Sequence, residues 1–192
     1  MSTVTRAGLR WRWATDVLAI RDELGGFLGA SVDDDGILGY REPPSPRQVR
    51  EFAEDLQRGV TKGVAHLLVG SGASALAAMC VLKPSSMPNC RHIAEVSKAY
   101  LTPAVRRTGA LLELAGNVCD KARELGVEKL VIDVREQSPA YRTWLRLGFT
   151  TFGTLEDYAR IGGVSHRGHY MEHSPAALRA VVDSVQAAGR HG

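Results

Sequence analysis

Residues 99–126 constrain this chain more than any other stretch. They read Ala-Tyr-Leu-Thr-Pro-Ala-Val-Arg-Arg-Thr-Gly-Ala-Leu-Leu-Glu-Leu-Ala-Gly-Asn-Val-Cys-Asp-Lys-Ala-Arg-Glu-Leu-Gly. An apolar strand ends at Pro103 and a short basic loop follows. Apolar residues then recur at Leu111, Leu114/Ala115, Val118, Ala122 and Leu125, one stripe at helical spacing. The helix opens at about Thr108, and Gly126 is the expected stop. Its first turn presents main-chain N–H groups with no helical acceptor, beside Arg106, Arg107 and a glycine, Gly109, that lets backbone approach a ligand. That is a seat for phosphate. A strand, a loop and a helix carrying two solvated arginines would use the same residues, so the rest of the chain has to decide.

Upstream, Arg10-Trp11-Arg12-Trp13 alternates polar and apolar side chains and predicts a short strand. Thr15-Asp16 caps a helix with Val17, Ile20 and Leu24, closed by Gly25-Gly26. Residues 27–44 read as irregular. Ser45-Pro46-Arg47-Gln48 starts a second helix, with a serine cap, a proline in the first turn and a glutamine at the capping-box position. Strands follow at Val64–Val69 and Ala75–Leu82, joined by Gly70-Ser71-Gly72-Ala73, and again at His92–Leu101.

Downstream of the central helix, Lys129–Val134 is a nearly continuous apolar run, as expected of a buried strand paired in parallel. Ser138-Pro139 caps a further helix with Ala140, Trp144, Leu145 and Leu147 inward. Phe149–Phe152, Tyr158–Ile161 and His169–Glu172 predict the last strands, split by glycine-rich turns, and Ser174-Pro175 opens a terminal helix. The order predicts one mixed α/β domain, a single sheet flanked by helices, over residues 1–173, with a helical extension over 174–192. The apolar stripe of that extension, Leu178, Val181/Val182 and Val185, must be covered, either by its own domain or across a homodimer.

The 192 residues suffice for one real core, and 44% hydrophobic with 23% charged residues is an ordinary globular balance. A net charge of +3, without basic runs, argues against nucleic acid as a partner. The apolar runs are too short for a membrane partner or a signal peptide. Cys80, Cys90 and Cys119 have no metal-like spacing and cannot all pair, which fits a reduced, cytoplasmic setting.

Two segments in this order resemble the GNAT-type N-acetyltransferases, which pass an acyl group from acyl-CoA to an amine. Tyr100-Leu101-Thr102-Pro103-Ala104-Val105-Arg106-Arg107-Thr108-Gly109-Ala110 looks like the family's acyl-CoA motif, Arg/Gln-x-x-Gly-x-Gly/Ala after an apolar strand end. Ser138-Pro139-Ala140-Tyr141-Arg142-Thr143-Trp144-Leu145-Arg146-Leu147-Gly148-Phe149 is similar to the helix and Gly-Phe segment that lies beside the pantetheine arm. The resemblance spans roughly residues 10–172. Leu111 stands where the family's last Gly/Ala would be. Trp144 stands where many members carry a tyrosine general acid.

The resemblance implies the GNAT fold, acetyl-CoA as acyl donor, no metal, and a small-molecule amine as partner, with antibiotic or amino-sugar inactivation as the favoured version. A protein or peptide amine, and an acyl-CoA-binding domain without turnover, are the alternatives. The implied CoA contacts are Tyr100, Leu101, Arg106, Arg107, Thr108, Gly109, Ala110, Leu111, Ser138 and Trp144. Backbone around Leu101 would polarise the thioester carbonyl. Glu95 would serve as base, directly or through water, provided that burial raises its pKa. Strand alternation would put Glu95 on one face with Ser97, Ala99 and Leu101. Tyr141, one turn before Trp144, would protonate the thiolate, or solvent would. Asp33-Asp34-Asp35 would line the acceptor side or be a solvated turn. His166, His169 and His173 crowd together without a carboxylate or cysteine to complete a metal set.

Overall fold

The computed structural model describes residues 7–34, 38–73 and 75–188. The strands are β1 (Arg10–Ala14), β2 (His66–Ser71), β3 (Leu76–Pro84), β4 (Ile93–Leu101), β5 (Lys129–Arg135), β6 (Thr150–Ile161) and β7 (Val164–His173). The helices are α1 (Arg21–Asp33), α2 (Pro46–Thr61), α3 (Ala110–Glu124), α4 (Pro139–Arg146) and α5 (Pro175–Ala188). Hydrogen bonding orders the strands β1-β2-β3-β4-β5-β7-β6 in one seven-stranded sheet. β4 and β5 pair in parallel, while β1 with β2, β2 with β3, β5 with β7 and β6 with β7 pair antiparallel. The mixed sheet flanked by helices is the expected class. No described helix is long and apolar enough to cross a membrane. The chain divides into two compact units, Met1–Lys83 with Lys98–Leu114 and Pro84–Ser97 with Ala115–Gly192.

In the first unit, α1 and α2 bury Leu24, Phe27, Leu28, Ala53 and Leu56 together with Leu67, Val69, Met79 and Val81 of the strands. Each such side chain contributes ~1.5–3 kcal/mol on burial. Ser45 caps α2 through a capping box: its hydroxyl accepts the Gln48 N–H at 3.3 Å and the Gln48 side chain accepts the Ser45 N–H at 2.8 Å. The expected helix closure at Gly25-Gly26 is not found. A single 3-10 turn at Leu18–Ile20 leads into α1, which runs through both glycines to Asp33. The reason is packing, because a Cβ at Gly25 would lie 3.2 Å from Val49 of α2. Gly25 serves helix–helix approach, while a Cβ at Gly26 would meet nothing within 4 Å.

In the second unit, Leu130, Ile132 and Val134 of β5 are buried, while Asp133 between them is exposed. β5 is therefore covered on one face only, not on both as its apolar run suggests. It also has a parallel neighbour on one side and an antiparallel one on the other. The last strand segments are two long strands, β6 and β7, turned at Gly162-Gly163. Gly153 lies inside β6 at a register shift and ends nothing. Leu145, expected inward, is 44% exposed on α4.

The terminal helix buries Pro175, Leu178 and Val182 and leaves Val185 exposed. Arg179 of α5 donates to Asp120 at 3.0 Å and to the Gly116 carbonyl at 3.5 Å, both on α3. Leu178 and Val182 of its stripe are thus covered within the unit, and Val185 is not.

Candidate active site

The loop between β4 and α3 is built from main chain. Arg107 and Gly109 both take left-handed conformations, at φ 64 and φ 96. The Thr108 hydroxyl donates to the Val105 carbonyl at 2.7 Å and fixes the turn. The first helical acceptor is Gly109, whose carbonyl receives the N–H groups of Leu112 and Glu113. The N–H groups of Arg107, Thr108, Gly109, Ala110 and Leu111 meet no acceptor among the described residues. Successive amides around left-handed residues at a helix start form an anion-binding concavity. Ala110 is fully buried with Leu9 and Ala78, which seats the helix start on the sheet. Glu113, in the first turn, accepts from the Trp11 indole at 2.9 Å and from the Ala7 N–H at 3.1 Å.

The structure separates two arginines that the sequence leaves equivalent. Arg106 is ion-paired with Asp34, donates through Nε to the Leu101 carbonyl at 3.1 Å, and lies 5.6 Å from the centre of the Tyr100 ring. The guanidinium holds the Asp34 carboxyl below the usual range by hydrogen bonding. Arg107 is exposed, with no ion-pair partner among the described residues. Tyr100 is buried in the core of the first unit, edge-on to Phe27 at 5.1 Å, so what it offers a ligand is main chain. Its phenol is pushed up to about 12, chiefly by burial. Leu111 is half-buried.

The acidic stretch 33–35 changes meaning. Asp33 ends α1, Asp34 is engaged by Arg106, and Asp35 lies outside the described residues. Sequence reasoning missed the Asp34–Arg106 pair, which joins positions with no local signal between them.

Glu95, in the second unit, is exposed on β4 and stands opposite Val131 in a parallel register whose pairs run from Ile93 to Glu95. The alternation expected to carry its direction on to Leu101 is interrupted at Lys98, which sits at φ 53. A regular strand does not hold such a conformation, yet Ala94, Val96 and Tyr100, on either side of it, are all buried at even positions. Ser138 caps α4, its hydroxyl accepting the Tyr141 N–H at 3.0 Å and donating to the Arg135 carbonyl at 2.8 Å. Trp144 packs edge-on to Phe149 at 5.0 Å.

Tyr141 is stacked on His169, with ring centroids 4.4 Å apart, and His169 Nε2 lies 3.1 Å from Glu136. His173 packs on Phe149, and burial lowers its pKa. Among the described residues, no group of three His, Cys, Asp or Glu side chains is placed to hold a metal ion.

No protein-family model and no curated protein sequence matches the chain. Solved structures do. YncA of Salmonella typhimurium, described as an acetyltransferase and solved with its cofactor acetyl-CoA, is 18% identical, with a TM-score of 0.70 over 87% of this chain and 94% of that one. The ribosomal-protein-alanine N-acetyltransferase of Brucella melitensis is 20% identical, with a TM-score of 0.70 over 85% and 98%. A GNAT-family acetyltransferase of Streptococcus pneumoniae is 18% identical, with a TM-score of 0.68 over 86% and 99%. The chain has the fold these acetyltransferases share, here ending in α5.

Proposed function

We propose that this chain is a GNAT-type N-acetyltransferase that passes the acetyl group of acetyl-CoA to a primary amine of a small molecule. The observation that carries the reading is the run of amides from Arg107 to Leu111 without acceptors, beside an exposed arginine. Those amides can donate to a pyrophosphate's oxygens, Arg107 supplies the charge, and the helix start adds its dipole. Bound there, acetyl-CoA supplies a reactive acyl thioester. The likeness to YncA with its acetyl-CoA supports the same donor.

The chain's residues then divide the work. Arg107 gives the direct charge to the diphosphate, while Arg106, held by Asp34, shapes the loop. The backbone at Leu101 polarises the thioester carbonyl, an oxyanion-type contribution. Glu95 lacks the burial expected of a base and is open to solvent, so it takes the proton from the incoming ammonium through water. Tyr141, its ring oriented by His169, returns a proton to the departing thiolate, as Trp144 has no acidic proton to give. No covalent enzyme intermediate is required.

Thiol release from acetyl-CoA in the presence of small amines and of peptides tests the reading. Turnover with free amines supports it. Turnover with peptides alone would move the acceptor to protein, the kind of substrate named for the Brucella melitensis neighbour. Tight coenzyme A binding without any turnover would leave a binding domain.

A further inference from the structure

β6 departs from its regular register between Leu155, opposite Gly168, and Ala159, opposite His166. The additional residues form a bulge at Glu156-Asp157-Tyr158. Asp157 sits there at φ 55, and its carboxylate accepts from Arg160 Nε at 2.8 Å and from the Ser165 hydroxyl at 2.7 Å. The fastened bulge re-aims Tyr158, whose ring crosses β7 at Gly168 and whose hydroxyl donates to Asp133 on β5. A Cβ at Gly168 would fall 2.2 Å from Tyr158 Cγ, so only glycine admits the ring. Bulges of this kind redirect side chains and are common beside functional sites.

The pair lies on an open face of the sheet. Asp133 stands opposite Tyr170, which is 37% exposed and 6.3 Å from the ring of Phe152, itself 59% exposed. Glu95 shares that face, because it is registered with Val131, two residues before Asp133. Strand geometry puts Glu95 and Asp133 roughly 8 Å apart along the backbone diagonal. Tyr158 uses one carboxylate oxygen, and the other has no partner among the described residues. Burial, then the carboxylate itself, raises the Tyr158 phenol, which keeps it a donor.

We infer that Asp133, positioned by Tyr158 and framed by Tyr170 and Phe152, seats a cationic group of the acceptor other than the amine that reacts. A carboxylate among aromatic faces favours an alkylammonium. It would also keep an amine protonated and non-nucleophilic, so the group held there is one that stays charged while Glu95 faces the reacting amine. The acceptor class is accordingly a diamine or another amine with a second positive charge. The inference rests on the acetyltransferase reading for the role of Glu95.

The test pairs 1,4-diaminobutane with n-butylamine on the full chain. In NMR titration without acetyl-CoA, the diamine should shift signals of Asp133, Tyr158 and Tyr170 saturably, and Asp133→Asn should abolish this. In turnover, Asp133→Asn and Tyr158→Phe should raise KM for the diamine about tenfold, the effect of one charge-assisted contact. KM for n-butylamine and for acetyl-CoA should stay within about twofold, and kcat should change little. Tyr158→Phe preserves the ring over Gly168 should Asp133→Asn fail to fold. No saturable shift at these residues, or equal KM effects on both amines, overturns the inference while leaving the acetyltransferase reading standing. A calorimetric titration with coenzyme A that shows no binding would fail that reading instead.

Discussion

The loop at Arg107–Leu111 and the sheet face at Asp133 and Tyr158 are built in opposite ways. The loop is contiguous, and the donors it leaves free are main-chain amides, so any side chains compatible with the turn serve. The sheet face draws on β5, the β6 bulge and β7, and each group depends on register and on one glycine. A site made of backbone tolerates drift in sequence, while a site made of side chains can be re-aimed by a single inserted residue. The proposed donor site lies in the first unit and the proposed acceptor site in the second.

Substitutions that strike one site and spare the other sharpen the contrast. The largest effect should come from Gly109→Val. The residue sits at φ 96 with open space around a would-be Cβ, so the fold takes on conformational strain without a clash, ~1–3 kcal/mol for a β-branched side chain. The ligand loses close approach and aligned amides, and coenzyme A affinity by calorimetry should fall about a hundredfold, ~3 kcal/mol. Gly168→Ala should follow. Expelling the Tyr158 ring destabilises the hairpin by ~1–3 kcal/mol in thermal unfolding, with coenzyme A affinity unchanged. Arg107→Ala should weaken coenzyme A binding about tenfold and flatten its salt dependence, and Arg106→Ala should do less, since Asp34 already neutralises that charge. The reverse order would break the assignment of the two arginines.

The smallest effect is alkaline. Tyr100, pushed up to about 12, has a folded-state pKa above its ordinary value near 10. Its contribution to stability is therefore complete below about pH 10 and is lost as the pH rises through about 12. An ultraviolet difference titration should find more than one phenol that ionises late, Tyr100 and Tyr158 among them, and Tyr100→Phe should remove the one near 12.

Periodicity and caps made most of the fold legible. The Ser45 capping box, the Ser138 cap and the stripe of α3 are local signals, and local chemistry formed them. Gly25-Gly26 misled because a glycine that ends one helix lets another approach its neighbour, a choice made at Gly25 by Val49, 24 positions later. The loop at Arg107–Gly109 was legible because its requirements are consecutive. The Asp34–Arg106 pair and the Tyr158–Asp133 pair were not, because 72 and 25 residues separate their members. The bulge at Asp157 does not use a glycine for its left-handed residue, and neither does the left-handed position at Lys98, so neither carried the usual marker.

The most direct test of the account is a titration of the whole chain with coenzyme A, read residue by residue through backbone amide NMR signals. Saturable shifts should centre on Arg107, Thr108, Gly109, Ala110 and Leu111, the amides that lack internal acceptors. Shifts confined to other residues, or none at concentrations where the coenzyme should bind, would contradict it.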